Sequence, residues 1–175
     1  MKNALIYSHD TYGLGHLRRS LLVAGAITRE APGAGVLIAT GSPRAQAFTP
    51  PKGVGILSLP AVLKRADGSY RSRDLDLPLP RLLDMRARLI LSAWRDLKPD
   101  LVFVDHSPLG VEGELIPLLD AIRASENRPQ LVLGLRDIID DAEVVHRSWQ
   151  ASGVYERLER DYDRVLVYGC ERVQT

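Results

Sequence analysis

The sequence predicts a three-layer α/β/α domain on a doubly wound parallel sheet of about six strands. Two observations carry this. Several short runs are apolar almost without interruption, and amphipathic helical segments lie between most of them. Unbroken apolar runs belong to strands covered on both faces. Strands alternating with helices through right-handed crossovers wind into one parallel, Rossmann-like sheet.

Residues 4–7 form the first run. Leu14, Leu17, Leu21 and Ala24 follow at spacings of three and four, predicting a helix that Pro32-Gly33 stops. Residues 35–39 are the second strand and residues 54–59 a weaker one. Residues 64–77 are polar, charged and without period, so they are expected to be a long loop. Leu82, Met85, Leu89, Ala93 and Leu97 predict a longer helix ended by Lys98-Pro99-Asp100. A strand over 101–104 and a helix carrying Leu115, Leu118, Leu119 and Ile122 come next, with Pro117 in its early turn. The strand over 131–135 leads to a helical stretch, about 142–162, that Gly153 breaks. Residues 165–168 are the last strand.

Composition narrows the class. The chain has 175 residues, 26% of them charged and 45% apolar, which suits one globular domain. Lys+Arg 23 against Asp+Glu 22 leaves a net charge of +1, so nucleic acid is not an expected partner. The one cysteine, Cys170, allows no internal disulfide and ends an apolar run without a nearby base, so it is not read as a nucleophile. No stretch approaches ~18 consecutive apolar residues, and the first run is too short for a secretory signal. The expectation is a cytoplasmic protein.

Ligands of open parallel sheets bind beyond the carboxyl ends of the strands. After the first strand comes Ser8-His9-Asp10-Thr11-Tyr12-Gly13-Leu14-Gly15-His16-Leu17-Arg18-Arg19. Gly13 and Gly15 let the backbone turn tightly and a ligand approach closely. A dinucleotide fingerprint fails because Arg18 stands where the third glycine belongs, and no Gly-Lys-Ser/Thr ending marks a phosphate loop. His16 sits at the start of the helix. The dipole disfavours its imidazolium there, which suits a general base. A histidine that only caps or packs is the alternative.

Here the residues resemble a family. YSHDTYGLGHLRRS is similar to the amino-terminal glycine-rich loop of GT-B glycosyltransferases. It resembles most the bacterial predicted glycosyltransferases related to the enzyme that adds N-acetylglucosamine to the lipid-linked peptidoglycan precursor. LKPDLVFVDHSPLGVEGEL and LVLGLRDIIDD look like the same group, so the resemblance covers nearly the whole chain.

The resemblance implies two Rossmann-like domains facing a cleft, the first binding a sugar or lipid-linked acceptor and the second a nucleotide-sugar donor. Inverting members use a base to deprotonate the acceptor hydroxyl, generally without a metal, and no cofactor is expected. His16 matches the base or an acceptor-contacting histidine, and Asp105 matches the acid that orients it. Gly13, Gly15, Arg19, His106, Arg136 and Asp137 are the expected acceptor contacts. The site requires His16 and Asp105 to open into one solvent-reachable hollow. Residues 1–175 are then expected to be the acceptor-side half alone, with the donor-binding domain absent and the isolated chain inactive. Two rivals stay open: a non-enzymatic binding subunit of a split glycosyltransferase, and an unrelated nucleotide-binding Rossmann protein.

Other features read as structure. Asp105-His106-Ser107 has the composition of a hydrolytic triad, but side chains along a strand alternate between faces, which opposes contact. Asp140 and Asp141 suit helix capping. Asp74-Leu75-Asp76 has the spacing of metal-binding acids in a different glycosyltransferase architecture, and chance explains it better. Arg81, Arg88 and Arg95 share a helix face that could rest on anionic lipid as a peripheral membrane contact. Asp84 and Asp96 interrupt that charge, so a solvated face is favoured.

Overall fold

The computed structural model describes residues 1–9, 13–136 and 141–169. β1 (Asn3–Ser8), β2 (Gly35–Thr40), β3 (Val54–Ser58), β6 (Leu101–Asp105), β7 (Gln130–Arg136) and β8 (Arg164–Tyr168) form one sheet, ordered β3-β2-β1-β6-β7-β8 with every pairing parallel. From β1 the chain first winds outward through β2 and β3, then returns to build β6, β7 and β8 on the other side. The reversal lies between β1 and β6.

The helices divide between the two faces, as strand alternation demands. Ala4 and Ile6 of β1 point toward α1 (Gly15–Glu30) and pack with Val36, Ile38, Ala24, Phe103 and Val132. Leu5 and Tyr7 point the other way, toward Ile90 of α2 (Leu79–Leu97), Leu118, Leu119 and Ile122 of α3 (Ile116–Arg123), and Val154 of α5 (Val154–Asp161). α4 (Ala142–Ala151) precedes α5, and Gly153 separates them at φ +69°. This is the doubly wound, three-layer arrangement that the sequence predicts.

Three local expectations are corrected. Residues 64–77 are not all loop: β4 (Val62–Lys64) and β5 (Tyr70–Ser72) pair as a short antiparallel hairpin. Its tip is Asp67-Gly68-Ser69, where the Asp67 carboxylate accepts from the Ser69 amide at 2.9 Å. The phase of α2 is also shifted. Leu82, Arg86, Ala87 and Ile90 are buried, whereas Leu89 is 37% exposed. Finally, β8 is not covered on both faces; it is an edge strand with Val165, Leu166 and Val167 exposed. Arg88 of the basic stripe pairs with Asp84 on the exposed face of α2. Among the described residues no helix is long and apolar enough to cross a membrane.

Arg86 explains the shifted phase. It is 1% exposed, and its Nε and Nη2 donate to Glu114 Oε2 and Oε1 at 2.5 and 2.7 Å. Its Nη1 donates to the Pro60 carbonyl at 2.7 Å. Tyr7 Oη donates to Glu114 Oε1 at 2.6 Å and accepts from the Val111 amide at 3.2 Å. Burial and the Glu114 carboxylate push the Tyr7 phenol well above its ordinary pKa, so it stays a donor. Gly41, after β2, has no Cβ because one would stand 2.6 Å from Arg86 Nη1.

Removing one member of such a pair leaves an uncompensated buried charge. Glu114→Ala should cost about 3–5 kcal/mol in urea unfolding, and replacing Arg86 and Glu114 together by Met should recover most of that loss. Equal destabilisation in the single and double variants would show that packing rather than charge pairing is responsible.

Candidate functional site

The reversal between β1 and β6 brings several chemistry-bearing residues together at the carboxyl edge. Tyr7 of β1 pairs with Val104 of β6, so Ser8 and Asp105 end the two strands side by side. The chain leaves β1 through His9, and Gly13, ahead of α1, has a φ of +75°. α1 then starts at Gly15 with no side-chain cap and no acid in its first turn. Among the described residues, a Cβ at Gly13 or Gly15 would meet nothing within 4 Å.

The first turn of α1 carries His16 and Arg19, three residues apart and therefore on one face. His16 Nδ1 lies 2.6 Å from Asp105 Oδ2. A carboxylate oxygen only accepts, so Nδ1 carries a hydrogen, and in the neutral ring that leaves the lone pair on Nε2. Arg19 Nε faces the other carboxylate oxygen, Oδ1, at 3.3 Å. That contact supplies countercharge, but its direction does not make a hydrogen bond, and Oδ1 has no other hydrogen-bond partner. The Asp105 side chain has no exposed surface, while that of His16 is 17% exposed. The expected shared hollow is therefore corrected. Of the pair only His16 reaches solvent, so the site is not the open His16–Asp105 hollow that the sequence reading requires, and a role for Asp105 would run through His16.

His106 shows why strand alternation misleads here. Its φ of +70° turns the chain out of β6, with its amide donating to the Gly134 carbonyl at 2.7 Å. Histidine is among the residues that tolerate this conformation. The turn swings the ring back, to 5.1 Å from that of His16 between centroids. His9 completes the group, 5.7 Å from His16 edge-on at 82° and 5.7 Å from His106. Among the described residues, His9 Nδ1 and His106 Nδ1 are buried without hydrogen-bond partners.

Tyr168, at the end of β8, closes the far side. Arg19 lies over its ring, 4.8 Å from the centroid. Its hydroxyl is buried without a partner, and burial and the Asp105 charge push its pKa up to about 12. The phenol fits only because residue 134 is glycine: a Cβ there would stand 2.0 Å from the Tyr168 oxygen and 2.6 Å from Phe103. Arg19, expected as an acceptor contact, is thus turned toward Asp105 and Tyr168. Arg136 is exposed at the end of β7, and its charge helps lower the His106 pKa. Asp137 lies outside the described residues, as do Asp140 and Cys170. Asp141 caps α4, accepting from the Glu143 and Val144 amides.

His9 and Tyr168 belong to the cluster without standing out in the sequence. The signal for His9 was its place directly after the first strand. Nothing local marks Tyr168, which reads only as an aromatic in a strand.

No family model and no curated protein matches the chain. Among solved structures, it is similar to the glycosyltransferase SnogD from Streptomyces nogalater at 17% identity and a TM-score of 0.47, over 97% of this chain and 46% of that one. The chain thus spans less than half of that protein. The fold assignment rests on the sheet order itself.

Burial, with the neighbouring imidazoles, depresses the pKa of His9 to about 3. Burial and the His16 ring depress that of His106 to about 4. Both stay neutral in the folded protein, while the unfolded chain takes up protons near the ordinary 6.5. Their contribution to stability is full above that value and is lost as the pH falls through it toward 4. Urea unfolding followed across that range should show the loss, and His9→Phe should flatten part of it. Identical slopes in the two proteins would remove His9 as a source.

Proposed function

We propose that this chain is the acceptor-binding half of a GT-B glycosyltransferase and that His16 is its general base. The observation that carries the reading is the 2.6 Å contact between His16 Nδ1 and the sealed Asp105 carboxylate, at the point where the strand order reverses. The sequence resemblance of the glycine-rich loop and of the segments around Asp105 and Arg136 supports the same reading.

In this mechanism an acceptor hydroxyl attacks the anomeric carbon of a nucleotide-sugar. The new bond forms from the hydroxyl oxygen as the bond to the nucleoside diphosphate breaks, and the hydroxyl proton passes to His16 Nε2. Asp105 holds the tautomer that leaves Nε2 free and stabilises the imidazolium as it forms, the logic of a hydrolase triad applied to a sugar hydroxyl. Arg19 supplies the second partner of the carboxylate. Gly13 and Gly15 give the acceptor room. The donor binds to a second domain or partner chain, and a lipid-linked acceptor would bring the protein to a membrane surface.

A second reading has its own support. The exposed apolar edge of β8 suits a binding subunit that joins a separately encoded donor half.

The pure chain should give no steady turnover with a nucleotide-sugar and candidate acceptors, and should gain it when the donor-binding half is supplied. His16→Ala in the complete enzyme should cost ~100-fold or more in kcat. Asp105→Asn should lower kcat with little change in KM. An unchanged rate in the His16 variant would remove it from the role of base.

A further inference from the structure

The carboxyl edge carries a hollow one strand away from the histidines. Strand register sets its place. Ser8 pairs with Thr40 and Thr40 with Ser58, so the residues that follow, His9, Gly41 and Leu59, form one row across β1, β2 and β3. Neighbouring strands lie ~4.8 Å apart, so the row is short enough for one ligand to span. Between the segments after β2 and β3 lies a cavity of about 350 Å³.

We infer that this cavity is a subsite for a single hydroxylated sugar ring. The inference rests on the acceptor-binding reading above but not on proton transfer at His16. The lining fits a pyranoside in three respects. Ser42, Gln46, Ser58 and Asp74 offer hydroxyl, amide and carboxylate groups that both donate to and accept from ring hydroxyls. Leu75, 45% exposed on the rim, supplies apolar surface for the face of a ring. Asp74 brings a carboxylate to the lining, and the nearby Arg86 is already held by Glu114, which disfavours a phosphate-bearing occupant. The volume sits at the low end of the ~300–1,000 Å³ of ligand sites, enough for one ring and not for a dinucleotide.

The hollow is also built in advance. Arg86, fixed by Glu114, donates to the Pro60 carbonyl and occupies the space a Gly41 side chain would need. Gly41 and Pro60 both line the cavity, so a buried ion pair holds its floor. Asp74 gains a role that its spacing with Asp76 did not suggest: its carboxylate lines the hollow, with Arg73 at 3.6 Å.

The test is a titration of the full chain with methyl glucoside, methyl N-acetylglucosaminide and glycerol, followed by backbone amide NMR. At least one glycoside should shift the amides of Ser42, Gln46, Ala61 and Leu75 saturably, and glycerol should not. Asp74→Asn should weaken that binding ~10-fold by replacing a charge-assisted acceptor. Ser58→Trp, from an exposed strand end, should fill the hollow and abolish binding with no change in the unfolding midpoint, and His16→Ala should leave binding intact. The inference is overturned if no glycoside shifts these amides, if glycerol shifts them equally, or if the Asp74 variant binds like the unaltered protein. Saturable binding by the chain, with no transfer activity even when the donor-binding half is supplied, would uphold the subsite and count against the glycosyltransferase reading. Transfer activity with these amides unmoved would do the reverse.

Discussion

A carboxylate with no exposed surface ends β6, and the carboxyl edge is arranged to tolerate it. Burying an ion costs several kcal/mol unless partners offset the loss of water. Both partners of Asp105 come from one turn of α1, His16 on one oxygen and Arg19 facing the other. The start of α1 is therefore tied to the end of β6 electrostatically as well as by packing. Arg19 in turn rests on the Tyr168 ring, and Tyr168 occupies the space left by Gly134. A single buried charge thus constrains β6, α1, β8 and β7.

A second buried acid offers the contrast that separates scaffold from site. Glu114 receives Arg86 on both oxygens and Tyr7 on one of them. Such a closed network rigidifies the fold and asks nothing of a ligand. Around Asp105 the account stays open. Its own Oδ1, the Nδ1 atoms of His9 and His106 and the Tyr168 hydroxyl are buried without hydrogen bonds. Unsatisfied buried groups are uncommon in folded proteins, and among the described residues these gather where β1, β6 and β8 end. His106 adds a backbone held at φ +70°, another cost that proteins accept mainly where chemistry is done.

Much of this architecture was legible in the chain itself. Unbroken apolar runs located the strands because a buried parallel strand needs apolar residues on both sides. Composition could not tell an edge from a centre, so β8 read like its neighbours although Val165, Leu166 and Val167 are exposed. The phase of α2 was misread because an arginine looks like a surface residue, and the acid that buries Arg86 stands 28 positions away. The expectation of His106 in the site comes from family likeness; alternation does not place its ring, because it assumes extended backbone and His106 is left-handed at φ +70°. The partnership of His16 with Asp105 came from family likeness. Local pattern does not join residues 89 positions apart.

Gly134 and Tyr168 bind the history of two positions together. Any side chain at 134 meets the phenol oxygen head-on, in the middle of a strand with buried neighbours on both sides. Substitution at 134 therefore needs room from both Tyr168 and Phe103, whose ring would stand 2.6 Å from the new Cβ, and a smaller residue 168 strips Arg19 of the surface it rests on. Sequences descended from a common ancestor should keep these three residues together or change them together.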